Sequence, residues 1–415
     1  MHSISRRALI SLTSILCALA AALAAPAAGD AAIHVAPSGS DRASGTRSAP
    51  LATLTKALSR ARGGETIRLA RGSYPRAEDT RARRRTVTVR GPRRGAARVA
   101  GMSVTGARRL TVRDVRFTDI VAVRDYARDI AFHASDFTAP RGAGCLTARN
   151  GVSGFTVTDS RIHDCTTGFG AGAGGTIPQS RRLTFEGNRF ERFTIDAIQF
   201  GQWDDVRIVD NVITGIRDPA GVEHNDGIQF TGNTRRALIA GNRLSDARTQ
   251  LIFLQNAVGP IDDVTVSNNL VHGAGAVAVH SQGVTRARFV NNTVWNGKDG
   301  GLWLTRGYSR LGGPPVVPRD SVVVGNVLQS YRTMGGARTR ASAGNVVACL
   351  PGQREHEDRP AGYACLRDLG FVDAARRDFR LRSDSPARRA GTRELLTHRD
   401  IDGRRRTTTA PGAFG

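Results

Sequence analysis

The sequence predicts an all-β solenoid, a stack of short strands wound into coils. Two observations carry this. Six asparagines recur at one point of a repeated unit: Asn188, Asn211, Asn242, Asn269, Asn292 and Asn326. Each follows one short apolar strand and precedes another, as in LTFEGNRF, VRIVDNVI, ALIAGNRL, VTVSNNLV and ARFVNNTV. The steps between them are 23, 31, 27, 23 and 34 residues, and an irregular step with one fixed asparagine is the mark of stacked β coils. Stacked asparagine amides can bond to one another and to turn backbone, forming a ladder. The second observation is a set of short strands that align at another point of each coil: CLTA, GFGA, AIQF, GIQF, LIFL, AVAV and GLWL.

The elements follow in chain order. His2, Arg6 and Arg7 precede an Ala/Leu-rich run over residues 8–25, and small residues follow it. Residues 1–29 therefore read as a secretory signal peptide, with cleavage expected between residues 24 and 32. Leu16 is too large to precede a usual lipoprotein Cys17, and no second apolar stretch is long enough to cross a bilayer. The mature chain, residues 30–415, is expected to be one soluble, exported domain without a membrane anchor. Within residues 33–75, Leu51, Leu54, Leu58 and Ala61 have helical spacing, and Gly63-Gly64 ends that helix. Such a helix would cap the open end of the solenoid, which is otherwise an exposed sheet edge. Coils are expected over residues 99–348, and residues 366–415 as a wrap around the far end.

Four cysteines remain after the signal: Cys145, Cys165, Cys349 and Cys365. Sequence proximity favours Cys145–Cys165 and Cys349–Cys365 among the three possible pairings. No Cys/His spacing suggests zinc. The formal net charge is +24, and Lys56 and Lys298 are the only lysines. Part of the arginine bias reflects codon composition; the remainder favours an anionic partner. Aromatics are 6% and no nucleic-acid motif is found, so an acidic polysaccharide fits better than nucleic acid. Strings such as GAGAGG do not sit between a strand and a helix and read as turns, not a nucleotide loop.

The opening VAPSGSD, the LATLTKAL helix, GETIRLARGSY and the tail DFRLRSDSPARRAG resemble the secreted right-handed parallel β-helix proteins of the pectate-lyase-like superfamily. The resemblance covers essentially the whole mature chain. It implies a right-handed parallel β-helix with an N-terminal capping helix. It also implies a place among polysaccharide lyases, glycoside hydrolases, uronan epimerases and proteins without known activity, and fold alone does not choose among these.

Alternation along the strands assigns outward columns. One holds Thr147, Gly170, Gln199, Gln229, Phe253, Ala278 and Trp303; its neighbour holds Arg149, Gly201, Thr231, Gln255, His280 and Thr305. Amides offer donors and acceptors to a sugar, and Phe253 and Trp303 offer ring faces. Arg248 is a further candidate contact. Structural alternatives are a glutamine ladder and aromatics lying under a loop.

The strongest chemical candidate is EHNDGIQF, residues 223–230, on the coil after IDAIQF. Asp196 and Asp226 share a column, which places them ~5 Å apart on adjacent coils. A long loop brings Asp218, Glu223 and His224 to the same rim. Three uses are open. Asp196, Glu223 and Asp226 suit calcium, whose oxygen ligands lie at roughly 2.3–2.6 Å. They also suit an acid/base pair for glycoside hydrolysis, or they simply cap turns. For β-elimination His224 or His280 is a base of suitable pKa, and Lys298 is an alternative unless it is an exposed turn residue. His163 and His272 are expected to face solvent, and Arg306 and Tyr308 to border the groove. The leading expectation is a secreted monomer that binds and cleaves a uronic-acid polymer by β-elimination. A hydrolase and a non-catalytic polysaccharide-binding or surface protein are the alternatives.

Overall fold

The computed structural model describes residues 32–93, 95–172, 177–217, 221, 224–312, 314–349 and 362–415. Three long parallel sheets run its length. Sheet A has 14 strands, beginning at Ala32–Val35 and ending at Thr339–Ala343. Sheet B has 13, from Gly72–Tyr74 to Tyr363–Leu366, and sheet C has 11, from Ala77–Asp79 to Tyr331–Met334. One coil passes from Ile198–Phe200 in sheet C to Trp203–Val209 in sheet A and Val212–Ile216 in sheet B, then returns to sheet C at Ile228–Phe230. Each of these strands pairs in parallel with the strand one coil on, as a parallel β-helix requires.

Inward positions fill the tube. Phe155, Phe169, Phe185, Phe190, Phe200 and Phe230 are fully buried, and successive rings meet at centroid distances between 4.5 and 6.4 Å. At the N-terminal end the helix Leu54–Arg60 buries Leu54, Ala57 and Leu58. Thr53 caps it by accepting from the Lys56 N–H, and Asp41 in turn holds the Thr53 hydroxyl and N–H. The expected cap is therefore present.

The asparagine ladder lies at the corner between sheets A and B. All six predicted residues are buried, at 0–2% exposure. In each step the backbone N–H and side-chain Nδ2 of one asparagine donate to the Oδ1 of the next, as from Asn211 to Asn242 at 2.9 and 3.0 Å and from Asn242 to Asn269 at the same distances. Asn242 Nδ2 also donates to the Ile208 and Ala240 carbonyls. Asn345 adds a rung at the C-terminal side, and Ser160 and Ser135 continue the column toward the N-terminus. The residue before each rung is left-handed: Gly187, Asp210, Gly241, Asn268, Asn291, Gly325 and Gly344 have φ between 53° and 67°. Glycine, aspartate and asparagine tolerate that conformation best, which is why the sequence reads GN, DN or NN at every corner.

The tail does not simply close the far end. Its antiparallel hairpin, Phe371–Asp373 and Asp378–Leu381, lies along the outer face of sheet B. Phe379 packs on His272 and Phe371 on Trp295, with centroids 5.0 and 5.1 Å apart, and Arg377 grips Asp246 through both terminal nitrogens. Arg406, mostly buried, donates to Asn268 Oδ1 and to the Gly412 carbonyl. The expectation of a cap at the far end alone missed this lateral strap because the tail's apolar residues are too few to form a repeat. Both favoured disulfides are present, Cys145–Cys165 and Cys349–Cys365, with Cα atoms 5.8 and 5.5 Å apart. Residues 1–31, which include the expected signal peptide, lie outside the described residues.

Replacing Asn242 by Ala leaves the Asn211 amide and two carbonyls without their partner. The expected cost is about 1–3 kcal/mol in denaturant unfolding, with the native fold retained at low temperature. An unchanged unfolding midpoint would show that the ladder does not stabilise the coils.

Candidate functional site

The outward face of sheet C changes character along its length. Strand register gives one continuous column: Ser103, Ala122, Thr147, Gly170, Gln199, Gln229, Phe253, His280, Trp303 and Arg332. The N-terminal half carries small side chains, and the C-terminal half carries amides, rings and a cation. This corrects one expectation. His280, not Ala278, stands between Phe253 and Trp303, while Ala278 is buried at 0% exposure and Gln282 takes the neighbouring column between Gln255 and Thr305. The error is a slip of two residues. Such a slip leaves the inward–outward alternation intact, so the pattern could not reveal it.

Gln199 donates to Gln229 Oε1 at 2.5 Å, the start of an amide ladder. Beside it the corner after sheet B delivers His224. Its imidazole is half-exposed, and Nδ1 lies 2.9 Å from Oδ2 of Asp226, whose side chain is fully buried. The other oxygen, Oδ1, accepts the Gln250 N–H at 2.9 Å and lies 2.7 Å from the Thr249 hydroxyl. One coil below, Asp196 accepts the Asp226 N–H at 2.7 Å. The hydrogen bond to Asp226 raises the His224 pKa above its ordinary 6.5; burial opposes this, the charges of Asp226 and Asp196 assist it, and the nearby positive charge of Arg310 opposes it. Arg310 arrives on the segment after Gly300–Thr305, where its N–H donates to the Ala257 carbonyl at 2.7 Å.

The aromatic residues are not the open platforms expected. Phe253 is only 6% exposed, and the His280 ring stacks on it at 5.1 Å and 12°. His224 approaches Phe253 at 5.7 Å. Trp303 meets the His280 ring edge-on at 6.1 Å, and the Arg332 guanidinium lies 5.1 Å from the centre of its ring. The rings support one another along the helix axis because rungs in a parallel sheet are close enough for direct stacking. His280 Nε2 lies 2.9 Å from Thr305 Oγ1, and desolvation pushes its pKa down to about 4.

The acidic rim is also different from an exposed one. Asp196 and Asp226 are 1% and 0% exposed: Asp196 accepts the Asp226 N–H, and Asp226 faces His224 and the Gln250 N–H. Calcium needs six or more oxygens. The Asp226 oxygens face Gln250, Thr249 and His224, and among the described residues no group of three or more His, Cys, Asp or Glu side chains is arranged to hold a metal ion. The described pair therefore does not fit a calcium shell. Asp218 and Glu223 lie outside the described residues.

Other candidates fall elsewhere. The Arg248 guanidinium packs against Gly221 and lines a groove of about 640 Å³ with Arg217, Asp246, Asn296 and Lys298, beside the sheet C column and not within it. Arg306 binds the Gly335 carbonyl, and Tyr308 is 58% exposed. His163 and His272, expected in solvent, are buried at 4% and 9%. His163 sits between Asp136 and Asp164, and His272 lies under Phe379. Arg310 and Arg332 were not anticipated. Arg332 was detectable by carrying the GLWL column one coil further to YRTM; Arg310 reaches the site only through the folding back of its loop.

A profile described as "Right handed beta helix region" matches residues 100–234 and 219–312, just over half of the chain. The chain belongs to the right-handed β-helix family. Solved β-helix structures similar to it include pectate lyase Pel9A, 16% identical, covering 92% of this chain and 96% of that one, with a TM-score of 0.55. The Azotobacter vinelandii mannuronan C-5 epimerase AlgE6 A-module is 16% identical, covers 75% and 92%, and has a TM-score of 0.53. XylC, in its complex with xylose, is 11% identical, covers 92% and 98%, and has a TM-score of 0.54. These likenesses establish the fold alone. No curated protein sequence matches this β-helix chain.

One buried histidine, His272, and one partly buried, His280, give the β-helix a pH signature. Desolvation lowers His280 and His272 from 6.5 to about 4, and Arg377 assists at His272 while Asp246 opposes. The unfolded chain therefore takes up these protons first as pH falls. Their neutral-state stability is full above about 6.5 and is lost progressively toward about 4. The expected result is a melting temperature that falls between pH 7 and pH 5. His272→Leu should flatten that slope; an equal slope in the variant would remove His272 as a cause.

Proposed function

We propose that this β-helix protein is an exported carbohydrate-active enzyme that cleaves a uronic-acid polymer by β-elimination, with His224 as the base. The observation that carries the proposal is the pairing of a half-exposed imidazole with a fully buried carboxylate at the edge of the sheet C column. The Asp226 carboxylate, 2.9 Å from Nδ1, favours the tautomer that keeps its proton on Nδ1 and leaves Nε2 as the acceptor. A net charge of +24 favours a polyanion. Two solved proteins of this fold are, by name, a pectate lyase and a mannuronan epimerase, and both names denote acidic polysaccharides. Export is supported by the signal-like N-terminus and two disulfides.

In this scheme the substrate carboxylate lies toward Arg310 and the Gln199–Gln229 amides, which favour the charge that develops on it. His224 Nε2 takes the C5 proton. The C–H electron pair becomes the C4–C5 double bond, and the C4–O4 bond breaks with its electrons on O4, which then takes a proton from solvent or a neighbouring acid. Proton abstraction is shared with C-5 epimerisation, so product analysis decides between them. His280 is disfavoured as the base: desolvation holds it at about 4 and its Nε2 faces Thr305.

A base must be neutral to act. Because Asp226 raises the His224 pKa, the rate should climb with pH through a limb above the ordinary histidine value. His224→Gln is expected to lower turnover roughly 10²–10⁴-fold without unfolding the protein. Asp226→Asn should shift the limb to lower pH and reduce the plateau. The assay is absorbance of unsaturated ends on a panel of uronans, with NMR of the recovered polymer. Full turnover in folded His224→Gln would sink the assignment, and inverted sugar without unsaturated ends would make the protein an epimerase.

A further inference from the structure

The sheet C column does not stop at the proposed base. Four rungs separate Gln229, on the His224 coil, from Arg332, which is ~19 Å along the axis. Arg332 is set apart from the other arginines by its seat in the sheet C column, directly over a tryptophan. Many arginines on the coils pair with an aspartate or glutamate, such as Arg161 with Glu191, Arg236 with Asp205 and Arg217 with Asp246. Arg332 has no carboxylate partner among the described residues, and its guanidinium instead lies over the Trp303 indole. Its Nε and the Trp303 Nε1 are buried without a protein acceptor. A stacked guanidinium loses its freedom of orientation but keeps its terminal N–H groups, the fork that matches a carboxylate. Small residues cannot provide such a site at the other end of the column, where Gly170, Thr147 and Ala122 stand.

We infer that Arg332, carried on Trp303, is a carboxylate-recognising subsite that binds an acidic sugar several units away from the residue at His224. The inference rests on the sheet C face being the carbohydrate face. It gives the groove a polarity. One end abstracts the proton, and the other anchors a distant carboxylate of the same polymer chain. The energy of that anchor is available only to a substrate long enough to reach both. Short acidic oligomers should therefore bind weakly and be poor substrates, and a neutral polymer should gain nothing from Arg332. Trp303 acts as a positioning residue, because it touches the guanidinium and not the reacting atoms.

The test is calorimetric binding of a long oligogalacturonide, a long oligomannuronate, their disaccharides and their methyl-esterified forms to the full chain. The proteins are wild type, Arg332→Gln, Trp303→Phe and His224→Gln, with turnover measured alongside. Wild type should prefer the better long acid oligomer over its methyl ester. Arg332→Gln should bind that oligomer roughly tenfold more weakly, with disaccharide and ester affinities unchanged and the loss of kcat/KM confined to long acid oligomers. Trp303→Phe, which keeps a ring beneath the guanidinium, should lose less. Equal binding of the acid oligomer by wild type and Arg332→Gln, or an equal loss for acid and ester, overturns the subsite. So does the absence of any preference for acid over ester in wild type. Loss of binding in Arg332→Gln with undiminished turnover in His224→Gln would leave the subsite standing and remove the proposed base.

Discussion

The structure depends on one hydrogen-bonding constraint, the alignment of each coil on the next through the corner between sheets A and B. A parallel coil must satisfy its backbone with its neighbour's, because no hairpin closes locally. The asparagine column fixes that pairing where the chain bends. Each amide receives the N–H and Nδ2 of the previous rung and returns Nδ2 to carbonyls of the turn, so a missed rung leaves buried groups unpaired. The left-handed residue before each rung makes the bend possible. Everything outward-facing inherits its position from this corner, including the rung spacing of the sheet C column.

The same rigidity explains how a basic chain tolerates so many arginines. Many are held in exposed ion pairs between coils, such as Arg182 with Asp129 and Arg236 with Asp205. Each pair contributes little to stability, but together they consume positive charge locally. Three cations have no carboxylate ion pair among the described residues and stand near the sheet C column. Arg332 and Arg310 border the sheet C face, and Arg248 lies in the adjoining groove.

Burial withdraws two of the acidic side chains from solvent. Asp226 and Asp196 are buried, and the half-exposed His224 stands over Asp226. A carboxylate without solvent around it acts through what it orients, and here it orients an imidazole and raises its pKa. His280 shows the opposite outcome: stacked on Phe253 without a carboxylate, it is held neutral by desolvation.

The sequence by itself determined the solenoid, its ladder corner, the capping helix and the near-neighbour disulfides. Each rests on local signals: a left-handed residue before asparagine, helical spacing at Leu51, Leu54 and Leu58, and short separations between cysteines. It also singled out EHNDGIQF as a candidate site, because carboxylates and histidine gather there at one corner. It could not decide the lateral position of His280, since a two-residue slip preserves alternation. Nor could it decide that Asp226 lies beneath His224, that the rings stack on each other, or that the tail straps sheet B over His272 and Trp295. Those outcomes depend on loop lengths and on which coil faces which. Such contacts join residues far apart in the chain, and no periodicity of the chain records them.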